Sequence, residues 1–330
     1  MKHIMKEIGI AALLGLVVPA VLLGLVVSYA RQKPEEPDPV QTEPETTMET
    51  VQSYILPVLG KDGTVTEMEL GDYLTGVLLA ELPASFEQEA KKAQAVVART
   101  YAVRSDLRRP KHEKAAVCME SACCQGYISP EDYLAGGGTE EAIDAAKSAV
   151  LQTGMNVLTY EGELIEATYF SCSGGRTEDA VAVWGTDVPY LRTTESPGEE
   201  HASHFTDTVS FSAEEFASAL ALQPEGNPED WLGPVTYTAG GGVNTMMIGG
   251  ISFEGTALRK ILGLRSTAFT MTAGEDTITV TTRGYGHRVG MSQYGADAMA
   301  VSGSGYEEIL AHYYQGTVLE PWIDKKEPMG

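Results

Sequence analysis

The chain has 330 residues, 43% of them hydrophobic, enough to bury a sizeable core in one large domain or two lobes. Its formal net charge of −23 excludes a surface built to neutralise phosphates, and repels nucleic acid and anionic lipid headgroups at long range. An acidic surface does not forbid a glycan substrate.

Residues 8–27 are an uninterrupted run of apolar residues, Gly and one Pro, long enough to cross a bilayer. Lys2 and Lys6 precede it, which keeps residues 1–7 cytoplasmic and sends the rest of the chain outside, although Arg31 and Lys33 weaken the asymmetry. The expected localisation is the cell membrane, single-pass, with the C-terminal domain extracytoplasmic. A cleaved signal peptide ending at Ser28-Tyr29-Ala30 is the alternative, but the apolar run exceeds a usual signal core, which favours an uncleaved anchor. Residues 28–52, dense in Pro, Glu and Thr from Pro34 to Thr50, read as a stiff acidic linker. The folded domain spans 53–320 and a tail 321–330 follows.

Leu70 to Leu82 has the pattern of an amphipathic helix stopped by Pro83. Ser85 with Gln88 forms a capping-box pattern opening a second helix to about Arg108. Glu140 to about Gln152 is a third helix, and Asn156–Tyr160 with Glu163–Phe170 is a hairpin turned by Glu161-Gly162. Ser212 with Glu215 opens a short helix, Leu258–Leu262 is another, and Ala268–Ala273 with Thr277–Arg283 is a second hairpin. Helices and antiparallel pairs do not alternate regularly, so the fold class is α+β: a helical corner and hairpins in two lobes around a cleft, with 195–274 an insertion or second lobe.

The chemistry concentrates at the helical corner. Glu81 falls in the last turn of its helix, where the backbone dipole is negative, and Leu78, Leu79, Ala80 and Leu82 surround it. Desolvation and the helix end both oppose ionisation, so a raised pKa suited to a general acid is expected. The competing reading is a solvated glutamate on a frayed end. Gln94 and Arg99 on the second helix are polar groups that can approach the same corner. Tyr169, Ser171 and Ser173 alternate onto one side of a strand that enters a Gly-Gly turn, a hydroxyl row that suits either plain strand surface or a bound glycan. His287 lies in Gly284-Tyr285-Gly286-His287, where the glycines permit a tight turn and close approach to a ligand.

His112, Cys118, Cys123 and Cys124 bring one imidazole and up to three thiolates into one stretch, a donor set for a closed structural Zn²⁺ site. A disulfide, with the distant Cys172 as one partner, is the competing reading. A catalytic zinc with Glu113 or Glu120 as base is a third, opposed by the four ligands available, which leave no position for water.

Three segments, YLTGVLLAELPASFEQEAKKAQAVVARTYA, ATYFSCSGG at 167–175 and GYGHRVGMSQYGA at 284–296, resemble in the same order the motifs of the SpoIID/LytB family. The resemblance covers roughly Ser53 to Thr317. It implies a peptidoglycan lytic transglycosylase with Glu81 as catalytic acid, cleaving the bond between N-acetylmuramic acid and N-acetylglucosamine to leave 1,6-anhydromuramic acid ends. It implies a place in the cleft for His287, and Ser292 and Gln293 match its last motif as residues suited to sugar hydroxyls. It implies a zinc-binding His and Cys cluster, departing from the pattern at Cys123-Cys124, where relatives have His-Cys. Arg288 stands where the family often has Gly, so a change in that loop is expected. Septal wall remodelling during engulfment, with a membrane-anchored cell-wall amidase as partner, is the implied process. A non-catalytic scaffold that binds peptidoglycan and stimulates such an amidase is the alternative from another class.

Overall fold

The computed structural model describes residues 54–108 and 111–322. The expected anchor 8–27, its flanks 1–7 and 28–52, and the tail beyond Trp322 lie outside the described residues. Among the described residues no helix is long and apolar enough to cross a membrane. They fall in one compact unit, Gln52–Gly330, and include nine α-helices and five small sheets, a mixed α+β arrangement.

Two helices build the corner. Leu70–Glu81 buries Tyr73, Leu74, Val77 and Leu78. Pro83 disfavours helical geometry in the residue before it, so the helix stops at Glu81, one residue earlier than its pattern suggests. Leu82 is extended, and its N–H still reaches Leu78 O. The second helix, Gln88–Arg108, contributes Ala95, Ala98 and Ala102 to one apolar core, shared with Leu70–Glu81, and Ala93, Val96 and Val97 to another, shared with Val289, Met291 and Tyr313. Its expected capping box does not form, because Gln88 Nε2 donates to Ala145 O at 3.2 Å and ties the helix start to the helix Glu140–Gln152.

The first hairpin turns through Glu161 (φ 52°) and Gly162 (φ 81°), both left-handed as a two-residue type I′ turn requires. Its second strand is shorter than expected: Glu163–Leu164 pairs with Asn156–Tyr160, then Tyr169–Phe170 pairs in parallel with Met291–Ser292. That second pairing, extended by Cys172 against Tyr285, brings segments 167–175 and 284–296 together.

A third apolar core runs from Phe216 to Val280. Strand Thr277–Arg283 pairs on one edge with Phe269–Ala273 and on the other with Thr206–Ser212, so this lobe continues past residue 274 to Arg283. Its first helix opens on Ser212 and Glu215 in a complete capping box.

Candidate active site

Glu81 ends its helix with the carboxyl turned against protein: Gly126 N–H donates to Oε1 at 2.6 Å. Burial pushes its pKa above the ordinary carboxylate value, while the Gly126 N–H, Gln293 and Tyr169 favour the ionised form and only partly offset the rise. A Cβ at residue 126 would lie 2.9 Å from Glu81 Oε1, so any side chain there would push the carboxyl out of place. The Tyr169 hydroxyl accepts from Gln125 Nε2 at 3.4 Å, and Gln125 Oε1 accepts from the Tyr73 hydroxyl at 3.2 Å. Burial, with the Glu81 charge adding to it, lifts Tyr169 well above the usual phenol range, so it remains a donor. Gln293 opens the helix Gln293–Val301; its Nε2 lies close enough to favour ionised Glu81 yet makes no hydrogen bond of normal geometry.

Glu81 stands where two depressions meet. One, of about 670 Å³, is lined by Tyr101, Lys111, Tyr169, Ser171, Trp184 and His287 together with Glu81 and Gln293. The other, of about 540 Å³, is lined by Glu81 with Lys61, Ser121, Tyr127 and Tyr133. His287 packs between Phe170 and Trp184, with ring centroids 5.5 and 5.4 Å away. Its Nδ1 accepts from Val289 N–H at 3.2 Å, which leaves the proton on Nε2. Burial, helped by the charge of Arg259, pushes its pKa down to about 4, so near neutrality it is an uncharged hydrogen-bonding group. Trp184, at the end of the helix Ala180–Trp184, is 42% exposed and offers an aromatic face beside His287.

Four residues read from sequence as cleft-facing are interior. Arg99 is 1% exposed and brackets the end of the helix Glu140–Gln152, its guanidinium donating to Val150 O, Asn156 O and Thr153 Oγ1, each at 3.1 Å. Gln94 is fully buried, and neither amide atom has a partner among the described residues. Ser173 and Ser292 are also fully buried, and both hydroxyls donate to the buried carboxylate of Glu199. That carboxylate accepts as well from the N–H groups of Ser173, Gly174 and Gly175 and from Ser196 Oγ. The serines therefore build the wall behind the cleft, while Tyr169 and Ser171 line it.

Arg288 is the departure in the third motif, and its backbone takes φ 67°, a conformation that favours glycine. Its side chain is buried, donating to Ser173 O, Arg176 O and Gly240 O at 2.7 Å and pairing with Glu178 at 3.1 Å, and so tethers the segment to the third-core lobe.

The ligand atoms of His112, Cys118, Cys123 and Cys124 all lie within 4.8 Å of one another. His112 Nε2 is 3.4 Å from Cys124 Sγ and 3.6 Å from Cys123 Sγ, and the two sulfurs are 3.9 Å apart. Tetrahedral zinc with Zn–S of about 2.3 Å and Zn–N of about 2.0 Å sets ligand atoms roughly 3.5 to 3.8 Å apart, so the donor set fits that metal. The four cysteines are unbridged, and Cys172 lies apart, against Glu199. Gln125 and Gly126 directly follow Cys124, so the residues that position Tyr169 and Glu81 are carried on the end of this cluster.

Fold and groove together define an α+β protein with one desolvated carboxyl at the centre of an open, aromatic-lined channel. A family model described as stage II sporulation protein matches residues 60–160. Stage II sporulation protein D of Bacillus subtilis (strain 168) is 39% identical over 259 residues, 77% of this chain and 75% of the relative. The Bacillus amyloliquefaciens protein of the same description is 39% identical over 260 residues, 77% of this chain and 74% of its own. The amidase enhancer of Bacillus subtilis is 29% identical over 299 residues, 74% of this chain but 40% of the relative. The chain belongs to the stage II sporulation protein D family.

Sequence reading missed Gly126, Gln125, Trp184 and Glu199. A backbone N–H leaves no mark in a sequence, and Glu199, directly followed by Glu200, has nothing to set it apart, but the aromatic Trp184 directly before Gly185 was a visible signal.

Proposed function

We propose that the protein is a peptidoglycan lytic transglycosylase, cleaving glycan strands between N-acetylmuramic acid and N-acetylglucosamine. The observation that carries this reading is Glu81: a carboxyl of raised pKa at the centre of a groove whose other carboxylate in the larger half, Glu166, is paired with Arg104 at 3.5 Å. One acid/base is enough where the nucleophile is a hydroxyl of the substrate itself, unlike the two-carboxylate arrangement of ordinary glycosidases. Protonated Glu81 gives its proton to the glycosidic oxygen as the muramyl C1–O bond breaks. The carboxylate then takes the proton of the muramyl C6 hydroxyl, whose oxygen closes on C1. The products are a 1,6-anhydromuramic end and a strand with a free 4-hydroxyl on N-acetylglucosamine.

Gly126 N–H and Tyr169 stabilise the carboxylate between these steps, while Ser171, His287 Nε2–H and Gln293 supply hydrogen bonds to the sugars and Trp184 a stacking face. His112, Cys118, Cys123 and Cys124 would hold a structural Zn²⁺, which would stiffen the loop carrying Gln125 and Gly126. The relatives' names support a place in sporulation and a link to an amidase; the process we propose is septal wall remodelling during engulfment, beside a membrane-anchored cell-wall amidase. The apolar run 8–27 is the anchor, holding the domain outside the cytoplasm.

Incubating the protein with purified peptidoglycan and with peptide-free strands, beside a Glu81→Gln control, tests this by mass spectrometry. Anhydromuramyl ends that vanish in the control are the expected result; reducing ends or released peptides overturn it. Likeness to the amidase enhancer favours a second reading, a scaffold that stimulates an amidase, which predicts strand binding with no cleavage at all.

A further inference from the structure

We propose that Lys111 and Lys61 are carboxylate-binding residues, one in each half of the groove, that read the acidic groups recurring along a muramyl strand. The proposal rests on the glycan reading above. A chain of net charge −23 repels a polyanionic strand at long range, so binding one requires local positive charge where the strand lies. Of the residues lining the larger half, Lys111 is the cation; Glu166 is paired with Arg104, and Glu81 is the acid itself. Lys61 is the cation lining the other depression that Glu81 borders.

Both lysines line the groove. Lys111 Nζ donates to the Tyr101 hydroxyl at 3.2 Å and to Cys123 O, and it sits 5.8 Å from the Tyr101 ring centroid. Two of its three donors are engaged and the third is free for a ligand. Lys61 lies in the tight turn of the hairpin Ile55–Leu59 and Val65–Glu69, closed by Gly60 N–H to Thr64 O at 2.7 Å. Its neighbour Asp62 accepts from Thr64 N–H and Oγ1 at 3.0 and 2.7 Å, and Lys61 makes no ion pair among the described residues. Glu120, the other charged residue beside Glu81 on that side, is exposed and not bonded to it.

The substrate chemistry matches a cation in each half of the groove. Muramyl residues alternate with N-acetylglucosamine, so a strand lying across Glu81 with the bond to be cut in place puts an acidic group on each side. That group is a free lactyl carboxylate, or the carboxylates of an attached peptide where the lactyl group is amidated. Each lysine offers a charge-assisted hydrogen bond to it.

The test is binding to the non-cleaving Glu81→Gln protein of three probes: peptide-free strands, the same strands with lactyl carboxyls reduced to alcohols, and peptide-bearing strands. Carboxyl reduction is expected to weaken binding. Lys111→Met or Lys61→Met should each weaken the acidic strands about fivefold and the reduced strands hardly at all, while Lys111→Arg keeps the discrimination. Lysine dependence confined to peptide-free strands assigns the lactyl carboxylate, and dependence confined to peptide-bearing strands assigns the peptide. Equal weakening of acidic and reduced strands by each lysine substitution overturns the proposal and leaves the glycan reading standing. Failure of all three probes to bind overturns the glycan reading and the proposal together.

Discussion

Glu81 and Glu199 are the same side chain in two opposite settings. Glu81 accepts one backbone hydrogen bond and borders two depressions; Glu199 is fully buried and accepts from three consecutive N–H groups and from the hydroxyls of Ser173, Ser196 and Ser292. A carboxylate saturated with donors is an anchor that holds a loop in place. One with few donors and little water is held back from ionising and can carry a proton to a substrate. The fold places its donors where rigidity is needed and withholds them where the proton must come and go.

The sharpest way to break that contrast is to remove the exchangeable proton from one site and the anchor from the other. Glu81→Gln keeps an acceptor for Gly126 and the side-chain shape, so the far-ultraviolet spectrum should not change, while strand cleavage should fall by roughly a thousandfold or more. Cleavage near the native rate would end the assignment. Glu199→Gln sets an amide NH₂ among groups that all donate, and should cost about 3 to 5 kcal/mol in urea unfolding. A loss below about 1 kcal/mol would mean the loop does not depend on that carboxylate.

Gly126→Ala has a smaller expected effect. Its Cβ would meet Glu81 Oε1 at 2.9 Å and displace the carboxyl, so kcat should drop about tenfold with KM little changed. Chelation should act through the same loop: if the His112 and Cys118–Cys124 cluster holds zinc, its removal lowers Tm and makes the thiols reactive to a thiol reagent. Unchanged Tm and thiols protected without metal would count against it.

The smallest effect concerns stability and pH. Glu81 has a folded pKa above its unfolded one, so the folded state holds the proton more tightly between those two values. The cost of ionising it in the cleft is absent below the unfolded pKa and is fully felt once pH has risen through the folded pKa. Glu81→Gln should therefore raise Tm at pH 7 to 8 and leave it unchanged at pH 4. His287, with a pKa near 4, should add no titration to the rate profile around pH 6.5.

Much of the corner was legible in the sequence. The proline after Leu82, the helical spacing before it and the apolar neighbours of Glu81 locate the acid and give the direction of its pKa. The His and Cys spacing located the donor cluster, and Tyr169, Ser171, His287 and Gln293 do line one cleft. Burial of the remaining polar motif residues was not legible. Arg99 has the look of a cleft cation but brackets the end of the helix Glu140–Gln152 to the start of the strand Asn156–Tyr160, and Ser173 and Ser292 serve a glutamate about 26 and 93 residues away in the chain. Motif residues that bind a ligand and motif residues that bind each other look alike until the chain closes. The break in the strand after Leu164 was hidden for a related reason: its residues suit a strand throughout, but the partner for Tyr169 and Phe170 is Met291–Ser292 rather than the hairpin.

The central claim is that Glu81 holds a proton in the cleft where an ordinary carboxylate has lost it. Titrating the protein by carbon-13 NMR with labelled glutamate carboxyls, and assigning the Glu81 signal by its loss in Glu81→Gln, measures this directly. A midpoint above the ordinary glutamate value, 4.5, is expected; a midpoint at or below it would contradict the account.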